Sequence, residues 1–490
     1  MKRISNLHLF PRAARTLLLM VAITLTALTA GAEEYTITYH LNGGYVIGNN
    51  RTTYDGSNDY TLLNPYKPGY SFIGWTGTGL NSPSVKVTIP SGSTGNREYT
   101  ANYSAAPTKG LWCDYADPDW GNDYENQTEF TITTAAQLAK FAAMVNIPKS
   151  DKSASQYSFE GKTVKLANDI DLSEHEWVAV GFDFSGSPGE ELYSMFNGTF
   201  DGGGHTISGM IVNQPQVACQ GLFGSADGKS TIKDIVLSNS YVNGNQQVGG
   251  IAGEANGLVE NCHVLPNVTV RGDFVDVGTV VGYSVGRIRG CSSGATLERG
   301  FPGIAGEIKS LQDCFYYGPD VRYGIAAPQG LSTTTVSHCF YAANAERGVD
   351  KLADSKDKAA RVYSVTAGEG VTISRSGTAA ATYYDGKLKF YGDDGCSFNG
   401  TEYVTEGTTL TISTTATFQG YETTINVEGT GASLNEGTLT VGTADVTVSA
   451  VKGTPIDYTI TYNLDGGTAS NPLTYTIETE KILLLFFLGI

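Results

Sequence analysis

A chain of 490 residues with 60 glycines, 28 tyrosines and only 17% charged residues has room for three or four domains and the composition of turn-rich β-structure. Its formal net charge of −17 leaves a surface that repels phosphates, which excludes nucleic acid as an ordinary partner.

Residues 1–32 read as a secretory leader: Lys2, Arg3, Arg12 and Arg15 precede an apolar stretch over 17–28, and Ala30-Gly31-Ala32 is a small-residue cleavage site. Removing those four cations takes the formal charge to −21. No cysteine follows the site, so a lipid anchor there is not expected. The mature chain is expected to be exported to the cell surface or beyond, with no transmembrane segment.

Strands alternate with Gly/Asn/Pro turns across 33–106: Tyr35-Thr-Ile-Thr-Tyr39, Tyr70-Ser-Phe-Ile73, Val85-Lys-Val87 and Tyr99-Thr-Ala-Asn-Tyr103. The run Asn64-Pro-Tyr-Lys-Pro-Gly-Tyr-Ser-Phe-Ile-Gly-Trp75, preceded by Leu41-Asn-Gly-Gly44, resembles the Listeria–Bacteroides repeat. That resemblance implies a small β-grasp-like extracellular module with Trp75 pinning its core, and no chemistry.

The segment 107–158 holds one helix, announced by the capping box Thr134-Ala-Ala-Gln137. Leu138, Phe141, Ala142 and Val145 then share a face, and Pro148 ends the run. Such an apolar face suits a cap over the open end of a solenoid.

From 159 to 355 two marks recur in step. The first is a glycine pair around two apolar residues: Gly221-Leu222-Phe223-Gly224, Gly250-Ile251-Ala252-Gly253 and Gly303-Ile304-Ala305-Gly306, with weaker copies ending at Gly282 and Ala327. The second follows it: Ile232-Lys-Asp-Ile235, Val259-Glu-Asn-Cys262, Ile288-Arg-Gly-Cys291, Leu311-Gln-Asp-Cys314 and Val336-Ser-His-Cys339. Steps of 21 to 29 residues, without a helical apolar period, predict a solenoid of strands and corners. The fold class is therefore all-β: a right-handed parallel β-helix with a helical cap, flanked by small β-grasp-like or sandwich modules. Ile235, Cys262, Cys291, Cys314 and Cys339 occupy one repeat position and predict a core ladder of free buried thiols. In-register strands point such side chains the same way rather than at each other, which disfavours disulfides.

Earlier coils are read at Thr163-Val-Lys-Leu166, Ile170-Asp-Leu172, Trp177-Val-Ala-Val180 and Phe196-Asn-Gly-Thr-Phe-Asp-Gly-Gly-Gly-His-Thr-Ile207. With the glycine marks, these resemble the GLUG-motif β-helix family over roughly 230 residues. Members are implied to be bacterial surface proteins and non-catalytic parts of immunoglobulin-A-cleaving peptidases. Thr279 and Ala327 depart from the glycine pattern, which predicts altered corners rather than lost coils.

Residues 360–453 alternate as a second β-rich domain, sandwich or grasp-like, in which Phe418-Gln-Gly-Tyr421 faintly resembles the first module. At 457–490 a copy of that module begins: Tyr458-Thr-Ile-Thr-Tyr-Asn-Leu-Asp-Gly-Gly467 matches the ten residues from Tyr35 at eight positions. It then gives way to an apolar run over 482–490, too short to span a bilayer as a helix, and the expectation is a truncated or frame-shifted repeat.

No catalytic set, cofactor or metal site emerges. The acids Asp169, Asp171, Asp183 and Asp201, with His205, are the candidates for a glycosidase pair, but Asp201-Gly-Gly-Gly-His205 also makes a plain corner. The loop holding Asp114, Asp117, Asp119, Asp123 and Glu125 lacks the spacing of an EF-hand, and the histidines and cysteines lack zinc spacing. Phe315 and Phe340, each following a ladder cysteine, are the candidate ligand-binding residues: alternation turns them outward, where stacked rings dock a sugar or a protein unless the next domain covers them. The function expected is non-enzymatic adhesion or structural display toward a surface protein or glycan of a host or microbe. The alternatives are a carbohydrate-active β-helix enzyme, or the non-catalytic front of a longer surface peptidase.

Overall fold

The computed structural model describes residues 34–480 apart from 47–49, 63–64, 67–70, 85–86, 105–110, 150–153, 184–192, 215–216, 274–275, 299–301, 328–333, 350–358 and 469. The leader, much of the proline-rich signature and the apolar run at 482–490 lie outside the described residues. The chain divides into two compact units at residue 106.

In the first unit, strand Tyr35–His40 runs parallel to Arg97–Ser104 and antiparallel to Thr53–Tyr54, and Ser71–Gly77 completes the sheet. Trp75 is fully buried among Ile37, Tyr54, Leu62, Val87, Ile89 and Tyr99. Gly74 and Gly77 hold positive φ beside it, and a Cβ on Gly77 would meet the Glu98 carbonyl at 2.1 Å. The glycines let the Trp75 strand lie close against its neighbours.

The second unit is a stack of parallel coils. One wall carries Glu129–Ile132, Thr163–Leu166, Thr199–Asp201, Thr231–Lys233 and Leu258–Glu260, then the two long strands Val281–Arg289 and Ala305–Gln312, then Thr335–Ser337. A second wall runs from Ile170–Asp171 through Thr206–Ser208, Val236–Ser238, His263–Val264, Ser292–Ser293 and Phe315–Tyr316 to Cys339–Tyr341. A third is shorter: Ile211–Asn213, Tyr241–Gly244, Thr269–Gly272 and Thr296–Leu297. This is the parallel β-helix.

The two sequence marks are its two kinds of corner. In the second mark the third residue turns the chain with positive φ: Asp234 (56°), Asn261 (52°), Gly290 (65°), Asp313 (53°) and His338 (46°). Asn, Asp and Gly tolerate that region, which is why they recur there. In the first mark the closing glycine answers crowding rather than dihedral demand. A Cβ on Gly224, Gly253, Gly282 or Gly306 would lie 2.2 to 2.5 Å from backbone atoms of the neighbouring loop.

The first coils are filled with rings and the later ones with small groups. Phe141 of the helix Ala135–Val145 meets Phe159, Phe196 and Phe200, so the helix closes the stack with its apolar face. Thr134 Oγ1 accepts the Gln137 N–H as the box predicts, but Gln137 Oε1 returns to the Thr133 N–H, one residue earlier than expected. On the outer face of the first wall, Lys165, Asp201, Lys233, Glu260 and Arg289 stand in successive register positions, a ladder of alternating sign. Lys233 lies 2.8 Å from Asp201, and Arg289 lies 2.6 Å from Glu260.

Ala359–Arg361 adds a last parallel strand to the second wall beside Cys339–Tyr341, and residues 363–455 then form a seven-stranded sheet, running from Ala381–Tyr383 at one edge to Tyr421–Glu428 at the other, packed on a four-stranded sheet. This is a sandwich. Among the described residues, the repeated segment that follows it pairs Tyr458–Thr459 with Thr474–Tyr475, the Ile460 N–H donates to Leu473 O, and Leu473 is 68% exposed.

Candidate functional site

Phe315 and Phe340 point away from the coil interior, as alternation predicts, and sit directly across from each other in register. They are nevertheless 0% and 1% exposed. The carboxyl-terminal sandwich lies on them: Phe398 is 5.9 Å and Tyr403 4.8 Å from the Phe315 ring, and Phe390 is 6.1 Å from Phe340. The column is therefore not open to a ligand. The physical reason is area: two adjacent rings offer more apolar surface than a folded chain leaves wet when a neighbouring domain can cover it.

The same docking uses the coil corner beside the thiols. Tyr384 stacks on His263 at 4.1 Å, its N–H donates to Asn261 Oδ1, and the Tyr383 hydroxyl donates to Asp313 Oδ2 at 2.9 Å. His263 joins Ser292 Oγ and Asn261 Oδ1 through its two ring nitrogens. Burial, with the Lys387 charge second, holds its pKa down to about 3. The ring is neutral at any ordinary pH.

Ile235, Cys262, Cys291, Cys314 and Cys339 are all fully buried in the coil core, and the cysteines are free. Cys262, Cys291, Cys314 and Cys339 form a continuous file of thiol contacts between successive coils. Burial, with the neighbouring thiols second, pushes Cys262 and Cys314 well above the ordinary thiol range. These are inert packing groups, without the cationic surroundings that make a thiolate reactive.

The acids singled out for glycosidase chemistry are occupied at corners. Asp201 Oδ1 accepts the Gly203 N–H at 2.9 Å, while its other oxygen pairs with Lys233. Against the opposing effect of burial, these partners hold its pKa below the usual carboxylate range. Asp169 accepts the Thr206 N–H at 2.8 Å and meets His205 Nδ1 at 3.2 Å. Asp171 accepts the Ser173 N–H in its own turn, and the Asp183 side chain lies outside the described residues. In the acidic loop, Asp117 accepts the Asp119 N–H, and Asp123 takes the side-chain amide of Asn126. No group of three or more such ligands fit for a metal stands together among the described residues.

The coils do bring together one carboxylate set that the spacing of acids did not reveal. Glu254, Tyr283 and Glu307 are register partners in successive coils, with Ser225 next to Glu254 in the coil before. Glu254 Oε1 accepts Asn256 Nδ2 at 2.6 Å, and Oε2 accepts the Ser225 hydroxyl at 3.2 Å. Asp276, on the loop that crowds the closing glycines, has its pKa raised to about 6 by burial and by the Glu307 charge. Burial and the same three acids raise Tyr283. The signal for the wall residues is in the sequence: Ser225, Glu254, Tyr283 and Glu307 each directly follow the closing glycine of the first mark, whereas Asp276 does not. Chemically, a carboxyl raised toward neutrality beside other carboxylates is one ingredient of acid–base catalysis.

Fold and corners together define a parallel β-helix protein with accessory β-domains. No family model matches the chain. A stretch of 109 residues is 33% identical to Halomucin of Haloquadratum walsbyi, covering 21% of this chain and 1% of that protein, so the chain spans a small fraction of that relative's length. Among solved structures, the chain is similar to a Bacteroides ovatus protein provisionally described as an immunoglobulin A1 protease. That likeness is 17% identical, covers 56% of this chain and 83% of that one, and has a TM-score of 0.24. No helix among the described residues is long and apolar enough to cross a membrane.

Proposed function

We propose that this is an exported surface or secreted protein whose coils serve adhesion or structural display without turnover. The observation that supports it best is the state of the coil's polar groups. Asp201 engages both oxygens with a corner N–H and Lys233, Asp169 and Asp171 each give one oxygen to a corner N–H, and the aromatic column is sealed by the sandwich. What remains is a stiff rod with a solvated charged face. Its leader-like start and its resemblance to repeat families of bacterial surfaces agree with export.

The test is to treat intact producing cells with protease and to apply the purified chain to arrays of glycans and surface proteins. Loss of the chain from shaved cells or its recovery from the medium, with retained binding and no released product, is the expected result. A second reading, a carbohydrate-active enzyme, is favoured by Glu254, Asp276 and Glu307 alone. Release of sugar products that ceases in both Glu254→Gln and Asp276→Asn would replace the first reading with the second.

A further inference from the structure

We propose that the carboxyl-terminal sandwich is a lid keyed to one coil: Gly290 is the socket, the turn Tyr383–Lys387 is the key, and the lid lifts as a unit when the key is withdrawn. Four copies of the second mark put a side chain at the coil corner, Asp234, Asn261, Asp313 and His338, and Gly290 breaks the row. A Cβ at Gly290 would lie 2.2 Å from the Tyr383 ring, so the ring fills the place of the missing side chain. Phe390 packs edge-on against the same ring at 6.0 Å, which leaves it little room to swing aside.

The key is held on both sides of that socket. The Tyr384 N–H donates to Asn261 Oδ1 in the coil before, and the Tyr383 hydroxyl donates to Asp313 Oδ2 in the coil after. Sliding the sandwich along by one coil would drive Tyr383 into the side chain of Asn261 or Asp313 and break both bonds. The single missing side chain therefore selects where on the rod the domain sits.

The key is also strained. Tyr384 and Asp385 have φ of 53° and 51°, a region that an aromatic residue rarely enters. Contacts with the coil keep Tyr384 there: the bond to Asn261 and the stack on His263 at 4.1 Å.

The lid can leave whole because it has a core of its own. Val365, Leu410 and Leu439 pack inside the sandwich, apart from the cluster in which Phe390 and Cys396 meet Phe315 and Phe340 of the coil. Cys396 reports on that second cluster. It lies across from Phe390 and Tyr403 in register, hence on the face turned to the coil, and it is fully buried.

The test is maleimide labelling of the full-length chain, scored cysteine by cysteine after digestion, with the exposed Cys113 as internal standard. Gly290→Asn fills the socket with the residue that the coil before carries at this corner, and Asn accepts the φ of 65° there. It should speed the labelling of Cys396 about tenfold, while Cys262, Cys291, Cys314 and Cys339 stay protected. Tyr383→Ala withdraws the key without touching the coil and should do the same; in that background Gly290→Asn should add little. Should Gly290→Asn disturb the coil itself, Tyr383→Ala decides alone. Slow labelling of Cys396 in Tyr383→Ala overturns the proposal. So does labelling of the four coil cysteines at the pace of Cys396 in that variant, since the coil would then unfold with the lid. A Gly290→Asn effect of undiminished size in the Tyr383→Ala background overturns the socket.

Discussion

The two corners of the coil solve opposite problems with the same backbone. At the thiol corner a positive-φ residue turns the chain and the next side chain goes into the core, so the core side is dry and a second domain covers the turn. At the glycine corner the closing residue has no side chain because a loop presses on it, and the residue after it is an acid or tyrosine held at the wall. Packing holds the imidazole of His263 neutral at the first corner and raises the carboxyl of Asp276 at the second. Stability should therefore respond to pH with opposite sign at the two.

The largest effect is expected on acidification. His263 has its folded pKa depressed to about 3, below the ordinary value of 6.5, so its contribution is complete above pH 6.5 and is lost as pH falls toward the folded value. The full shift corresponds to about 5 kcal/mol. Denaturant melts of wild type and His263→Gln between pH 7 and 4 should diverge, with the variant less sensitive to acid. Parallel slopes would show that the thiol corner does not carry this charge penalty.

Gly253→Ala tests whether the other corner is steric. Its Cβ would stand 2.5 Å from backbone atoms of Cys219, Gln220 and Gln247, none of which can swing away. A loss of about 3 kcal/mol is expected in the midpoint of urea unfolding. Gly228→Ala, whose nearest neighbour is Asn256 O at 3.8 Å, should change stability by less than about 0.5 kcal/mol.

Asp276 gives the opposite pH sign. Its folded pKa is raised to about 6, so its cost is absent at pH below the unfolded value of 3.8 and grows as pH rises to 6. Discounted for solvent screening at a partly exposed site, Asp276→Asn should stabilise the protein by about 1–2 kcal/mol at pH 8 and by nothing at pH 3.5. A smaller effect is expected of Cys314→Ala, about 1 kcal/mol for a sulfur-sized void, independent of pH between 5 and 8. A steep pH dependence there would mean that the thiol file ionises, and the contrast between the corners would fail.

The coils were legible because both marks combine a local rule with a repeat. Asp, Asn and Gly before each ladder residue report a dihedral, and Cys262 to Cys339 report a core position; both survive in sequence at fixed spacing. The fate of Phe315 and Phe340 was not legible. Alternation placed them outside the coil, but what covers an outward ring is a neighbouring domain whose docking depends on Tyr383, Tyr384 and Phe390, more than forty residues away in sequence. Glu254 and Glu307 are hidden in the sequence for a different reason: they are far apart in the chain, and only the stacking of coils brings such residues together. Ile460 is only half-buried where its twin Ile37 is buried, which makes a further point: a shared strand sequence does not bury itself without a sheet to enter.

The alternating ladder on the first wall gives the stack a parity. Lys165, Asp201, Lys233, Glu260 and Arg289 follow one another as plus, minus, plus, minus, plus. Excising the single turn that carries Glu260 would set Lys233 against Arg289, like charge facing like. Excising two adjacent turns would bring opposite signs back into line. Lengthening or shortening of this rod by recombination should thus proceed more readily in even steps than in odd ones.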